Sequence, residues 1–169
     1  MYRVSNDPRT QRSAQLILEG LSTCLKSKDF HNISVTDIHK ASGVSRATFY
    51  RLFDIPVDVI QYACDRMSEE FSEIHENIDV TDSFLEVLLQ YLTEHYKILE
   101  VVYRSRRMDI LENAMFQRRI YNNPEDIDNP ALEYLNAISC SAIVTLLTVW
   151  IRRGKEETPE ALLKMFKSF

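Results

Sequence analysis

Glycine is scarce in this chain: three in 169 residues, alongside five prolines and a single tryptophan. Three glycines leave little room for a phosphate-cradling loop or a nucleophile elbow, and no His-Glu-x-x-His occurs. Cys24, Cys64 and Cys140 are odd in number, widely spaced and form no Cys-x-x-Cys. They are expected to pack as small buried thiols in a reducing cytoplasm. His31, His39, His75 and His95 have no metal-ligand spacing among themselves or with the cysteines, so neither a metal nor a cofactor is expected. No secretory signal is expected either, because Met1–Arg12 is polar and charged. With no convergent reactive set, an enzyme is disfavoured.

What the chain does carry is apolar mass with few breakers. Hydrophobic residues make up 45% of it, which points to an all-α, packed protein. The net charge of −5 conceals an asymmetry. Residues 1–53 hold eight Lys/Arg against four Asp/Glu, a net of +4, and residues 54–169 hold twelve against twenty-one, a net of −9. A basic N-terminal third on an acidic body is the balance expected of a duplex-binding head on a regulatory body.

The head is organised around Ser34–Phe53. Ser34-x-x-Asp37 is a capping-box start, and Val35, Ile38 and Ala41 fall on one helical face. Ser42-Gly43 stops that helix, since Gly takes φ > 0 without steric penalty. Val44 plugs the corner, and Ser45 caps a second helix that turns Phe49 and Phe53 inward at i, i+4. Arg46, Ala47, Thr48, Tyr50 and Arg51 are left outside, a set suited to the DNA major groove. An ordinary αα-corner with a solvated outer face gives the same pattern, so the spacing alone does not decide.

Residues 38–53, Ile-His-Lys-Ala-Ser-Gly-Val-Ser-Arg-Ala-Thr-Phe-Tyr-Arg-Leu-Phe, resemble the signature of the tetracycline-repressor (TetR) family, Ile-Ala-x-x-Ala-Gly-Val-Ser-x-Gly-Thr-Leu-Tyr-x-x-Phe. The resemblance is ungapped and covers residues 10–65, about a third of the chain. The stretch Trp150–Glu160 is also similar to the close of a subgroup common in Firmicutes. The resemblance implies an N-terminal three-helix helix-turn-helix head, here 1–54, on a helical regulatory and dimerisation domain, here 55–169. It implies a homodimeric, cytoplasmic DNA-binding transcriptional regulator, a repressor released by a small-molecule effector. Arg46 is the expected base reader, with Ala47 against a thymine methyl, and Thr36, Ser45, Thr48, Tyr50 and Arg51 are expected on phosphates of a palindromic operator. One departure stands out. Members often carry a phosphate-gripping Lys where this chain has Pro56, and Asp54 and Asp58 stand beside it with the wrong sign. That departure supports a rival reading, a TetR-fold coactivator or adaptor that binds a protein partner with little affinity for DNA.

In chain order, residues 1–9 read as a polar arm in which Arg3, with Arg9 and Arg12 beyond, can reach phosphates. Helices are expected over Pro8–Lys28, with Asp29 in a left-handed exit, from Asp54 to about Asn77, and over 81–103, 105–121 and 131–153. Glu69, Glu70, Glu73 and Glu76 form an acidic, solvated helical face, and Arg104, Arg106 and Arg107 cluster at a helix junction as a salt-bridged turn or an anion site. Asn122-Asn123-Pro124 opens an acidic, mobile loop to Pro130. Phe84, Tyr91, Tyr96, Tyr103 and Phe116 are core aromatics first and possible lining of a ligand pocket second. Tyr134–Ile151 runs eighteen residues without a charge, long enough to span a membrane. Asn136, Ser139, Ser141, Thr145 and Thr148 argue instead for a helix buried on two sides, with no membrane partner. One side faces its own core; the other is expected to meet a second subunit through Leu135, Ile138, Ala142, Leu146, Val149 and Trp150, joined by Leu162 and Phe166 of a last helix.

Overall fold

The computed structural model describes residues 1–74, 82–122 and 129–168. Among them lie nine α-helices, one 3₁₀ turn, and a lone antiparallel bridge between Tyr2 and Phe53 in place of any strand. The fold is all-α.

Helix α1 is Pro8–Cys24. Asp7 Oδ1 accepts from the Arg9 and Thr10 amides, satisfying orphan donors of the first turn, and Pro8 occupies the position where a missing N–H is harmless. Ala14, Ile17, Leu18 and Leu21 form its buried stripe. The expected extension to Lys28 does not occur, nor does the left-handed exit. The amides of Lys26, Ser27 and Lys28 turn back onto Thr23 and Cys24 carbonyls, so the terminal acceptors are met without a residue at positive φ. Asp29 is extended, at φ −66° and ψ 144°, and leads into the 3₁₀ turn Phe30–Asn32.

Helices α2 (Val35–Ser42) and α3 (Arg46–Leu52) lie across α1. Helix α4 (Pro56–Ile74) carries the chain from head to body, and its Val59, Ile60, Ala63, Cys64 and Met67 belong to the same continuous core as Ile17, Ile38 and Phe49. The expectation that α4 continues to Asn77, with Glu76 and His75 on it, falls outside the described residues, as does the acidic loop over 123–128. On the described part of the acidic face, Glu69 and Glu70 pair with Arg66 and Glu73 is exposed.

The single helix expected over 81–103 is instead two, α5 (Asp82–Glu94) and α6 (Tyr96–Arg104). His95 stands at the break. Its Nδ1–H donates to the Tyr91 carbonyl at 2.7 Å, and its ring lies 4.1 Å from that of Tyr91. The backbone at His95 departs to φ −89°, ψ 23°, and α6 starts at Tyr96. Helix α7 (Met108–Asn122) packs on α4 and on α8 (Pro130–Arg152); α9 (Pro159–Phe166) packs on α5. Asn129 and Thr158 cap the last two helices, each ahead of a proline. All three cysteines are buried free thiols.

Two close contacts generate predictions. Gly20 of α1 sits where α2 crosses it: a Cβ at this position would lie 2.7 Å from Ser42 Cβ and 3.0 Å from the Ser42 amide nitrogen. Gly20→Ala gains about 1 kcal/mol of helix propensity. It also forces two helices apart, at about 1–3 kcal/mol for overpacking. Because the obstruction is at Cβ and backbone, with no flexible tip to swing away, the clash wins. Chemical denaturation should show a net loss of stability; an unchanged or raised midpoint would refute the tight crossing. At the end of α6, Ser105 buries its hydroxyl with no hydrogen-bond partner. Ser105→Ala should therefore raise stability, by about 1 kcal/mol, in the same experiment.

Candidate nucleic-acid interface

The helix-turn-helix is fixed by hydrogen bonds that begin with Ser34. Its hydroxyl accepts from the Asp37 amide while the Asp37 carboxylate accepts from the Ser34 amide, the reciprocal box expected from the sequence. Lys28 Nζ lies 2.6 Å from the same carboxylate. The Lys28 ammonium, then the Ser34 donors, hold Asp37 well below the usual carboxylate range. Gly43 ends α2 at φ 71°, the left-handed geometry that only Gly takes freely.

The turn itself is held at one residue, Val44. His39 Nδ1–H donates to the Val44 carbonyl at 2.8 Å, and Ser42 Oγ accepts from the Val44 amide at 3.1 Å. Both side chains stand where the family signature carries Ala, so this chain adds polar ties to a corner the signature leaves to packing. His39 was read from sequence as an ordinary histidine. The signal available was its place five residues before the plug, on the face turned to the corner.

Helix α3 begins at Ser45, whose Oγ accepts from the Thr48 amide and donates to Thr48 Oγ1 at 3.0 Å. Phe49 and Leu52 are buried and anchor it, with Phe53 just beyond. The remaining side chains point outward. Arg46, Ala47 and Arg51 are exposed, and Tyr50 is 48% exposed. Ser45 is exposed, while Thr48 and, in the first turn of α2, Thr36 are half-buried. Six of the seven predicted DNA contacts thus lie on α3 and its cap and the seventh, Thr36, in the first turn of α2, with the Ser45 and Thr48 hydroxyls bonded to each other. Arg46, Arg51, Lys40, Arg9 and Arg12 enter no ion pair among the described residues. Of the head's acids, Asp37 is paired and Asp7 is capping α1. Glu19 accepts only from the neutral Gln15 and Asp29 is unpaired among the described residues, so five unpaired cations stand against few unengaged acids in the head.

The N-terminal arm is docked, contrary to its reading as a free polar segment. The Arg3 amide donates to the Leu52 carbonyl at 2.7 Å, and the Tyr2 hydroxyl donates to Asp65 at 2.9 Å. The Arg3 guanidinium donates to the Tyr50 and Arg51 carbonyls and pairs with Asp54 at 2.6 Å. A cation is thereby set on the last carbonyls of α3, where the helix dipole is negative. Arg3 is also what lowers the Asp54 carboxyl below its ordinary range. Asp58 is buried, and its Oδ2 accepts from the Asp54 and Ile55 amides at 2.9 and 3.0 Å. The two acids beside Pro56 thus have structural occupations: one pairs with the arm, the other closes the start of α4.

Of the expected pocket aromatics, Phe84 and Tyr91 come together on Phe71, and the others lie apart from them. Tyr91 is buried against Phe71 and donates its hydroxyl to the Met67 carbonyl, and Phe84 packs on Phe71 from the other side. Tyr96 is exposed beneath Lys155 Nζ, 5.6 Å above its ring. Phe116 is half-buried. Tyr103 lines a cleft between the end of α1 and the α6–α7 turn; the other four do not.

The predicted dimer residues divide. Leu135 and Ile138 are 57% and 63% exposed, and Ala142 and Val149 lie on the same outward face of α8. Leu146 and Phe166 are half-buried against the chain's own core. Trp150 and Leu162 belong inside, at 5% and 2% exposure, which corrects their assignment to the outer face. The Trp150 Nε1–H donates to the Glu157 carbonyl at 2.9 Å and so closes the α8–α9 turn from within. A helix apolar all round does not say which of its sides is which; the position of α7 and of that turn decides. Pro130–Arg152 is long and apolar enough to cross a membrane by length and composition, the one such helix among the described residues. In this fold its buried stripe, Cys140, Ile143, Val144, Leu147 and Ile151, packs on protein.

Comparison with known proteins follows the same lines. Residues 79–169, more than half the chain, match the family described as the C-terminal region of transcriptional regulators, in its TetR division. Among solved structures, the chain resembles the Listeria innocua protein Lin0861, with a TM-score of 0.84 and 20% identity over 98% of this chain and 93% of that one. It also resembles a TetR transcriptional regulator from Streptococcus agalactiae, with a TM-score of 0.64 and 19% identity over 96% and 95% of the two chains. A third is the fatty acid degradation regulator FadR of Bacillus halodurans, with a TM-score of 0.65 and 16% identity over 97% and 95%. At these identities the likeness is one of fold. No curated protein matches. A capped helix-turn-helix under a helical body, and a C-terminal half matching that family, place the chain in the TetR family of transcriptional regulators.

Proposed function

We propose that this chain is a cytoplasmic, homodimeric, sequence-specific DNA-binding repressor, released by a small-molecule effector, with residues 1–54 as the head and 55–169 as the regulatory and dimerising body. The observation that carries the reading is the outward face of α3. A short helix anchored by Phe49 and Leu52 presents Arg46, Ala47, Tyr50 and Arg51 together, with its cations unpaired. In this mechanism two such helices, one duplex turn apart, enter successive major grooves of a palindrome. Arg46 reads a base edge and Ala47 meets a thymine methyl, while Thr36, Ser45, Thr48, Tyr50 and Arg51 hold phosphates. The acids beside Pro56 favour the adaptor reading less than their charge suggests, because both are engaged within the chain. A second copy of the chain covers the apolar face of α8 across a two-fold axis, where the same patch meets itself.

Arg46→Ala should lose about 1–3 kcal/mol per half-site and relax sequence preference. Tyr50→Phe, which removes only a phosphate hydrogen bond, should weaken specific and random duplexes alike. Mobility shift against the chain's own upstream region, across a salt series, reads both; affinity should fall with salt as counterions are released. An unchanged specific-to-random ratio in Arg46→Ala removes it as a reader. No duplex binding by wild type even at low salt would hand the function to the adaptor reading.

Ile138→Glu tests the dimer. The side chain is exposed in the single subunit, so a charge there leaves the subunit folded but burdens the covered interface with an unpaired carboxylate, worth several kcal/mol. Sedimentation should show a wild-type dimer at micromolar concentration and a folded Ile138→Glu monomer. A wild-type monomer would dismiss the interface.

A further inference from the structure

The cleft lined by Tyr103 has a volume of about 570 Å³, within the range of about 300–1,000 Å³ usual for small-molecule sites. Its walls come from both parts of the chain: Leu25 and Asp29 from the head, Tyr103, Arg104, Arg106 and Met108 from the body. Leu25, Tyr103 and Met108 make the surface partly apolar. The charges do not cancel. Lys28 and Asp109, also at the cleft, are taken by Asp37 at 2.6 Å and by Arg107 at 2.9 Å. Arg104 and Arg106 enter no ion pair and no side-chain hydrogen bond among the described residues, and of the carboxylates lining the cleft only Asp29 is likewise unpaired. Two exposed, unpaired arginines and one unpaired carboxylate thus line the cleft.

Arg106 also sits where an arginine is sterically unwelcome. It takes φ 57°, and the Arg107 amide reaches back to the Val102 carbonyl at 3.1 Å, the closing bond of a left-handed helix exit. At the ends of α2 and α8 the chain places glycine in such a position, Gly43 and Gly154. At the end of α6 an arginine takes that position, as Lys155, at φ 63°, does just after Gly154.

We propose that this cleft binds a small organic anion, a carboxylate or phosphate monoester with a compact apolar body. Arg104 and Arg106 hold the oxyanion, and Leu25, Tyr103 and Met108 cover the apolar part. Because the cleft joins the end of α1 to the α6–α7 turn, an occupant fixes the head against the body. Its use as the effector site rests on the DNA-binding reading above; the binding itself does not.

Calorimetry of the full chain with benzoate, phenyl phosphate and neutral benzamide tests it without DNA. At least one of the two anions should bind with a dissociation constant of roughly 1 mM or tighter, benzamide at least tenfold more weakly, and the preferred anion identifies the headgroup. Arg106→Gly should lose at least tenfold in anion affinity while melting no lower than wild type, since glycine relieves the left-handed residue. Arg104→Gln, at an ordinary helical position, should lose affinity independently. Absence of binding by both anions, or an Arg106→Gly chain that binds as wild type does, overturns the proposal. Adding the bound anion to the mobility-shift assay then reads the coupling: a chain that binds anion but no duplex refutes the DNA reading and leaves the site standing.

Discussion

Where α1 crosses α2 there is no room for a side chain. Gly20 lets Ser42 and the Ile38 carbonyl approach to a distance that a single Cβ would violate, and the orientation of everything after α2 follows from that contact. Ser42 carries the Val44 amide, Val44 carries the His39 bond, and Ser45 starts the outward helix one residue later. A shift of a few tenths of an ångström at Gly20 is therefore passed through three short, rigid connections to Arg46. The proposed readout of base edges would demand that kind of rigidity, because a bidentate contact loses its value when its donors are misplaced.

The second constraint is electrostatic. A phosphate-facing surface beside an acidic body needs its own acids disarmed. The chain does this by hydrogen bonding: Asp37 to Ser34 and Lys28, Asp7 to the start of α1, Asp58 to backbone amides, Asp54 to Arg3. These four carboxylates do local structural work, Glu19 accepts from Gln15, and Asp29 of the head stays unpaired among the described residues. Pro56 belongs to the same solution, giving α4 a first residue that needs no hydrogen bond, while Asp58 satisfies the donors around it. The absence of a lysine at 56 lowers the number of cations without leaving an uncompensated anion in its place.

Legibility in the sequence followed the range of the interactions. The capping box at Ser34, the left-handed Gly43, the inward Phe49 and the outward Arg46 depend on residues within a few positions of one another, and the spacing displays them. Helix existence was readable for the same reason. The break at His95 was not, because an imidazole that bonds the Tyr91 carbonyl leaves the apolar periodicity of 84–95 intact on both sides. The docked arm was not, because the bonds of Tyr2 and Arg3 cross more than forty residues. Nor was the role of Gly20, whose meaning lies in what α2 places opposite it.

Helix α8 shows how these levels meet. Its periodicity could only say that it is apolar on all sides, and three different surfaces turn out to use that. Ile143, Leu147 and Trp150 fill the core; Leu135, Ile138 and Val149 form the open apolar face; Thr148 reaches the cleft beside Arg104 and Arg106. A packed helix moves as a body, since its side chains cannot yield independently at native packing density. Thr148 lies within two turns of the outward face, and α8 packs on α7, which packs on α4. If the chain dimerises and binds DNA as proposed, the distance between two recognition helices depends on how α8 is seated, and binding in the proposed cleft and fit to successive grooves would be one equilibrium.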